Sequence, residues 1–182
     1  DLDSRVINVI EAETAFAPNF NGWYPSERWG CNASNGVTLT SDTLTLSSAQ
    51  IFIPKDGNYK IAVRTVESKE HGNLLLQVDD GNITKLECNS STTRFVWHEV
   101  GPVPMNCGEH ILNIINDGIG KVDLDELIIY SLKDTEESTS LKELFSPQIS
   151  QLTQFNYTQI NPTEYEVKIT TDEPFWLIFS ES

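Results

Sequence analysis

The sequence predicts an all-β fold: a jelly-roll β-sandwich with a short additional β-rich C-terminal segment. Three observations predict it. Short runs rich in Val, Ile, Leu, Tyr and Thr alternate apolar and polar residues with period two, as half-buried strands do. Turn sequences punctuate them, PKDGN at 54–58, DDGN at 79–82, NCGE at 106–109 and NDGIG at 116–120; their glycines supply the positive φ that tight reversals need. No apolar series at helical spacing runs through residues 6–132.

The elements follow in order. A strand is predicted over 6–12; the run VINVIEAE holds Glu11 and Glu13, and an aromatic-rich loop, GWYPSERWG, follows it. Strands are predicted over 43–53, 59–66, 74–78, 84–88, 95–100, 110–115 and 122–130, the last carrying Asp123 and Asp125. Residues 134–145 are charged and Ser/Thr-rich without period-two hydrophobicity, which reads as a linker or a short helix. Strand patterns return over 165–170 and 175–179. The expected organisation is a sandwich over 1–133, the linker, and a partial β-rich segment over 146–182, too short to be a sandwich by itself and open to reading as a truncated second domain.

Composition narrows the function. The 182 residues hold 27 Asp+Glu against 12 Lys+Arg, a formal net charge of −15. No basic run offers a phosphate-binding face, so nucleic acid is not an expected partner. No apolar stretch reaches the length that spans a bilayer, so no direct span is expected in this chain. No charged-then-apolar leader opens the sequence, and FWLIFSES stops mid-pattern, so the chain is expected to be a piece of a larger protein. Four Asn-x-Ser/Thr triplets, at Asn32, Asn82, Asn89 and Asn156, are glycosylation candidates and point to an extracellular or extracytoplasmic location. Of three cysteines, Cys88 and Cys107 flank a strand and its turns and are the disulfide candidates; Cys31 is left over or takes the place of either.

Signatures of hydrolases, zinc proteases, phosphate loops and dinucleotide folds are absent, so no catalytic residues are assigned. The acids suggest a different role. The pairs Glu11/Glu13 and Asp123/Asp125 have i, i+2 spacing in strand-like runs, which puts each pair on one face. If the first and last strands lie side by side, hard oxygens converge as Ca²⁺ requires. The aromatics Trp23, Tyr24, Trp29, Phe95 and Trp97 are core or ligand platforms; large rings in loops are packed or bind something.

These motifs, in their order, resemble carbohydrate-binding modules of families 6 and 35. The residues that carry the likeness are Glu11-Ala12-Glu13, Gly57-Asn58-Tyr59, Gly108-Glu109-His110 and Leu124-Asp125, spread over residues 6–132. The resemblance implies a non-catalytic jelly roll. It implies structural Ca²⁺ on Glu11, Glu13 and Asp125. It also implies a loop-end site for glycan, with Trp23 or Tyr24, Trp97 or Phe95, and Asn116 as the matching positions; the acidic charge disfavours anionic polymers, so a neutral glycan is the expected partner. The tail over 160–182 is similar to extracytoplasmic segments of large archaeal multi-pass membrane proteins, which implies tethering to a membrane protein. The alternative function is a structural or assembly scaffold that keeps the jelly roll without binding sugar.

Overall fold

The computed structural model describes residues 5–16, 22–132 and 140–144, together with the backbone of 154–161 and 164–170. The expected all-β sandwich is what forms. Strand β1 (Val6–Glu11) is followed by a one-turn helix α1 (Ala12–Ala15), β2 (Trp23–Ser26), a 3-10 turn at Gly30–Asn32, β3 (Thr38–Ser41) and β4 (Thr45–Ile53). Then come β5 (Gly57–Glu67), β6 (Asn73–Val78), β7 (Thr84–Glu87), β8 (Arg94–Met105), β9 (Gly108–Asn116) and β10 (Val122–Ser131). One sheet has the order β2-β3-β10-β5-β8, with β1 also paired to β10; the second has the order β4-β9-β6-β7.

Alternation builds the core. In β4, Ser47, Ala49, Ile51 and Ile53 point inward while Leu46, Ser48, Gln50 and Phe52 face out. Leu112 and Ile114 of β9, Leu74 and Leu76 of β6, and Ile61 and Val63 of β5 meet them between the sheets. Each such side chain contributes about 1.5–3 kcal/mol on full burial. A second, smaller cluster lies on the outer face of the larger sheet, where Ala62, Ile128 and Tyr130 are covered by Leu141 and Leu144 of α2 (Leu141–Leu144). Glu99 fastens α2 by accepting the Leu141 backbone N–H at 2.7 Å. Part of the segment expected as a linker therefore packs on the sandwich.

Two bulges interrupt the pairing. Between Leu124 and Glu126 the register of β10 against β5 shifts. Inward positions accordingly change from Val122 and Leu124 to Leu127 and Ile129. A bulge adds one residue and so inverts the alternation beyond it. In β8, Gly101 and Pro102 together oppose Lys60. Gly101 has φ +125°, and a Cβ there would lie 2.8 Å from the Tyr59 carbonyl oxygen, so only glycine fits.

The chain divides into two units, Asp1–Phe145 and Ser146–Ser182. In the second, β11 (Gln154–Asn161) and β12 (Glu164–Thr170) form an antiparallel hairpin. The strand expected over 175–179 lies outside the described residues.

The proposed Cys88–Cys107 disulfide is corrected: all three cysteines are free thiols. Cys107 precedes the first residue of β9, whereas Cys88 follows β7 beside Asn73, whose neighbour Leu74 pairs with the last residue of β9. At strand rise that is roughly 27 Å apart, against the 4.4–6.8 Å between α-carbons that a disulfide needs. Burial raises the Cys88 thiol pKa. A thiol reagent should therefore label Cys31 and Cys107 in the native protein and Cys88 only after denaturant is added. Peptide mapping that finds Cys107 protected would contradict this.

Candidate functional site

Both aspartates of β10 are fully buried. Asp123 accepts the Thr40 hydroxyl, the Trp29 indole N–H at 3.0 Å and His71 Nε2 at 2.9 Å. A carboxylate is only an acceptor, so His71 carries its proton on Nε2. Its Nδ1 lies 2.5 Å from the Ser68 hydroxyl. Burial alone would raise the Asp123 pKa, but these bonds outweigh it and hold the carboxyl below its ordinary value. Ser68, His71 and Asp123 align as a hydrolase relay does, yet all three are buried, and a nucleophile must reach its substrate. The network is a tie between β10, β3, the β5–β6 connection and the loop before the 3-10 turn.

Asp125 sits in a second network. Arg64 forms an ion pair with it and also donates to the Asn32 carbonyl at 3.1 Å. The backbone N–H of Ser34 donates to Asp125 Oδ1 at 3.0 Å. The Ser34 hydroxyl lies 3.0 Å from that oxygen and 2.7 Å from Glu11 Oε2. One hydroxyl hydrogen is shared between two carboxylates, so this cluster is one donor short. Separately, Glu13 Oε2 is buried without a hydrogen-bond partner among the described residues. Glu13 does not lie on a strand, however. β1 ends at Glu11 and Glu13 belongs to α1, so the same-face spacing argument fails for that pair. Among the described residues no three acidic, His or Cys groups form a preassembled metal cluster.

Tyr24 is 41% exposed at the loop end of the sandwich. Its hydroxyl donates to Asp42 Oδ2 at 2.5 Å, and that bond, chiefly, pushes the phenol up to about 12. Lys121 approaches the other Asp42 oxygen at 3.3 Å. Leu44 and Ile119, 72% and 77% exposed, belong to the two loops beside them, which touch where Gly118 packs on Leu44. The phenol, the carboxylate and the ammonium thus form a polar, aromatic surface with an apolar rim.

Three other expected ligand residues are corrected. Asn116 is fully buried. Its amide N–H groups go to the Ser41 and Gly120 carbonyls and its oxygen accepts the Gly118 N–H, so it shapes the loop and offers nothing to a ligand. Trp23 is packed in the inter-sheet core. Trp97 is partly buried against the outer-face cluster of Ala62, Ile128, Tyr130, Leu141 and Leu144. The aromatic contact that does form joins Trp29 edge-on to Phe95 at 6.1 Å, with Arg64 stacked on Phe95. Sequence reasoning missed Ser34, Asp42, Arg64 and His71, which become partners only through contacts distant in the chain. Asn32, Asn82 and Asn89 lie at exposed positions. Asn156 is on β11, and its side chain lies outside the described residues.

No family model matches the chain and no curated protein matches it. Solved structures do. A Podospora anserina β-(1,4)-mannanase with a family 35 module is 15% identical, with TM-score 0.56 over 69% of this chain; the match spans 28% of the enzyme. A family 35 carbohydrate-binding module from an environmental isolate is 10% identical, with TM-score 0.54 over 69% of this chain and 98% of that one. A family 6 module from Cellvibrio mixtus lichenase 5A, in complex with cellotriose, is 20% identical, with TM-score 0.50 over 70% of this chain and 99% of that one. The fold is thus the family 6/35 β-sandwich that the sequence resemblance implies.

Replacing Asp123 by Ala strands the buried Thr40 and His71 donors and the part-buried Trp29 N–H, so stability should fall by about 3–5 kcal/mol in urea unfolding. The carboxyl is depressed in the folded state. Its contribution is therefore present above its unfolded value near pH 4 and is lost as pH falls through the lower folded value. The urea midpoint of the native protein should drop on acidification below about pH 4. Asp123→Asn should drop less steeply. Equal acid sensitivity in both proteins would contradict this role.

Proposed function

We propose that this chain is a non-catalytic carbohydrate-binding module that takes neutral glycan at the loop-end surface around Tyr24. The observation that carries the reading is the exposed Tyr24 ring, oriented by Asp42 and flanked by Lys121, on a sandwich of the family 6/35 fold. Sugar rings present C–H faces that stack on an aromatic ring, while polar neighbours bond the hydroxyls. The net charge of −15 disfavours anionic polymers. Stacking on one ring is a modest interaction, so affinity should correspond to roughly −4 to −8 kcal/mol, millimolar to micromolar. Titration calorimetry with cellotriose, xylotriose, mannotriose and maltotriose should show saturable binding to at least one. Tyr24→Ala should abolish it without unfolding the domain. Flat titrations across the panel would favour a second reading, a structural or assembly scaffold, which the burial of Trp23 and Asn116 supports.

The reading includes Ca²⁺ held by Glu11, Glu13 and Asp125, where it would neutralise the acids and join β1, α1 and β10. The shared Ser34 hydroxyl and the unpartnered Glu13 oxygen support it. It also includes an extracytoplasmic location within a larger membrane-associated protein. The exposure of the sequon residues Asn32, Asn82 and Asn89 supports that location. Most of the tail whose resemblance suggests tethering lies outside the described residues. Calcium at a hundredfold excess over its dissociation constant should stabilise the fold by about 2.7 kcal/mol. Chelation should lower the melting temperature, calcium should restore it, and Glu13→Gln should blunt the response. An unchanged melting temperature in all three conditions would remove the metal from the account.

A further inference from the structure

Most edges of the sandwich are guarded against pairing with another chain. β7 and β2 are four residues long, β7 with Lys85 and Glu87 and β2 with Pro25. β1 shifts register between Val6 and Asn8 and ends on Glu11. β8 carries the Gly101–Pro102 bulge and Pro104. Short length, charge, proline and bulges are the devices that keep an edge from adding a strand.

β4 has none of them. It ends the smaller sheet and, among the described residues, pairs only with β9. Its nine residues, TLSSAQIFI, include no proline, glycine or charge. Its register against β9 runs unbroken from Thr45 to Ile53. Backbone direction alternates along an antiparallel strand. Asn8 Nδ2 of β1 donates to the Phe52 carbonyl at 3.3 Å, so that carbonyl faces away from β9, and the backbone groups of Leu46, Ser48 and Gln50 share its direction. Asn8 occupies one lone pair of the Phe52 oxygen and leaves the other.

The order of residues along β4 selects the occupant. An antiparallel copy of β4, set about a two-fold axis at Ala49, puts Leu46 opposite Phe52 and Ser48 opposite Gln50. Leu46 and Phe52 are 51% and 59% exposed and lie on the same outer face. Each exposed apolar side chain thereby meets another, and each polar one meets a polar one, as favourable cross-strand pairs do. A chain of net charge −15 repels its own copy, so two copies approach best along a strip that carries no charge, and β4 is such a strip.

We propose that β4 is a homodimer interface, at which two copies of this chain pair edge to edge over Leu46–Phe52. The two four-stranded sheets become one continuous sheet across the axis. The contact is isologous and uses up the β4 edge of both copies, so assembly stops at two. It involves no residue of the Tyr24 surface and does not depend on sugar.

The test is sedimentation equilibrium of the full 182-residue chain. The native chain should show a reversible monomer–dimer equilibrium with no larger species. The dimer should tighten as salt rises from about 0.1 M to about 1 M, because the Debye length falls from about 10 Å to about 3 Å and the like charges are screened. Gln50→Lys sets like charges diagonally across the axis, and Phe52→Lys removes the apolar pair. Both positions are exposed, and each variant should weaken the dimer at least tenfold while keeping its β-sheet circular dichroism. Each also lowers the net negative charge, so general repulsion cannot account for the loss. A chain with Leu46→Cys and Phe52→Cys, and with Cys31→Ser and Cys107→Ser, checks the register. Opposed residues of a hydrogen-bonded pair lie about 5.5 Å apart between α-carbons, within disulfide reach, so oxidation should give a covalent dimer. The proposal is overturned by a monomer at every protein and salt concentration, by a dimer that weakens as salt rises, by a dimer that both lysine variants keep at full strength, or by oxidation of the double-cysteine chain without cross-linked copies.

Discussion

A buried carboxylate must be met by donors, and β10 buries two of them within three residues. Much of the loop end follows from that constraint. Asp123 draws in Trp29, His71 and Thr40; Asp125 draws in Ser34 and Arg64. Those partners come from the long connection between β2 and β3, from β3 and β5, and from the connection after β5. Irregular chain is thereby fastened to the central strand of the larger sheet. The Tyr24 surface sits at one margin of this fastened region, on β2 beside β3.

The strands were legible in the sequence because one buried face imposes period two, and Asp-Gly turns mark where each strand stops. β4 and β9 show this plainly, with alternating exposure along their full length. The bulge at Asp125 was not legible. It depends on pairing with β5, and it moves the inward phase of β10 by one residue. The end of β1 was also hidden, so Glu13 read as a strand residue although it lies in a helical turn.

The site was only partly legible. Tyr24 stands out as one of three aromatics in the run GWYPSERWG, and the structure leaves it exposed. Trp97 carries the same signal but is partly buried against the outer-face cluster, to which Leu141 and Leu144, more than forty residues later in the chain, contribute. Nothing in the local sequence of β8 shows which of its faces that helix covers. Asn116 reads as a free amide in a turn, yet its own loop and Ser41 of β3 consume its hydrogen bonds. Aromatic and amide residues in loops therefore name candidates, and only burial and bonding separate a platform from a prop.

The central claim is that Tyr24 is the platform for a neutral sugar. The most direct measurement is a crystal structure of the chain grown with the best-bound neutral oligosaccharide. The account predicts a sugar ring stacked on Tyr24, with Asp42 and Lys121 within hydrogen-bond distance of its hydroxyls. A ligand bound elsewhere with the Tyr24 face bare would contradict it.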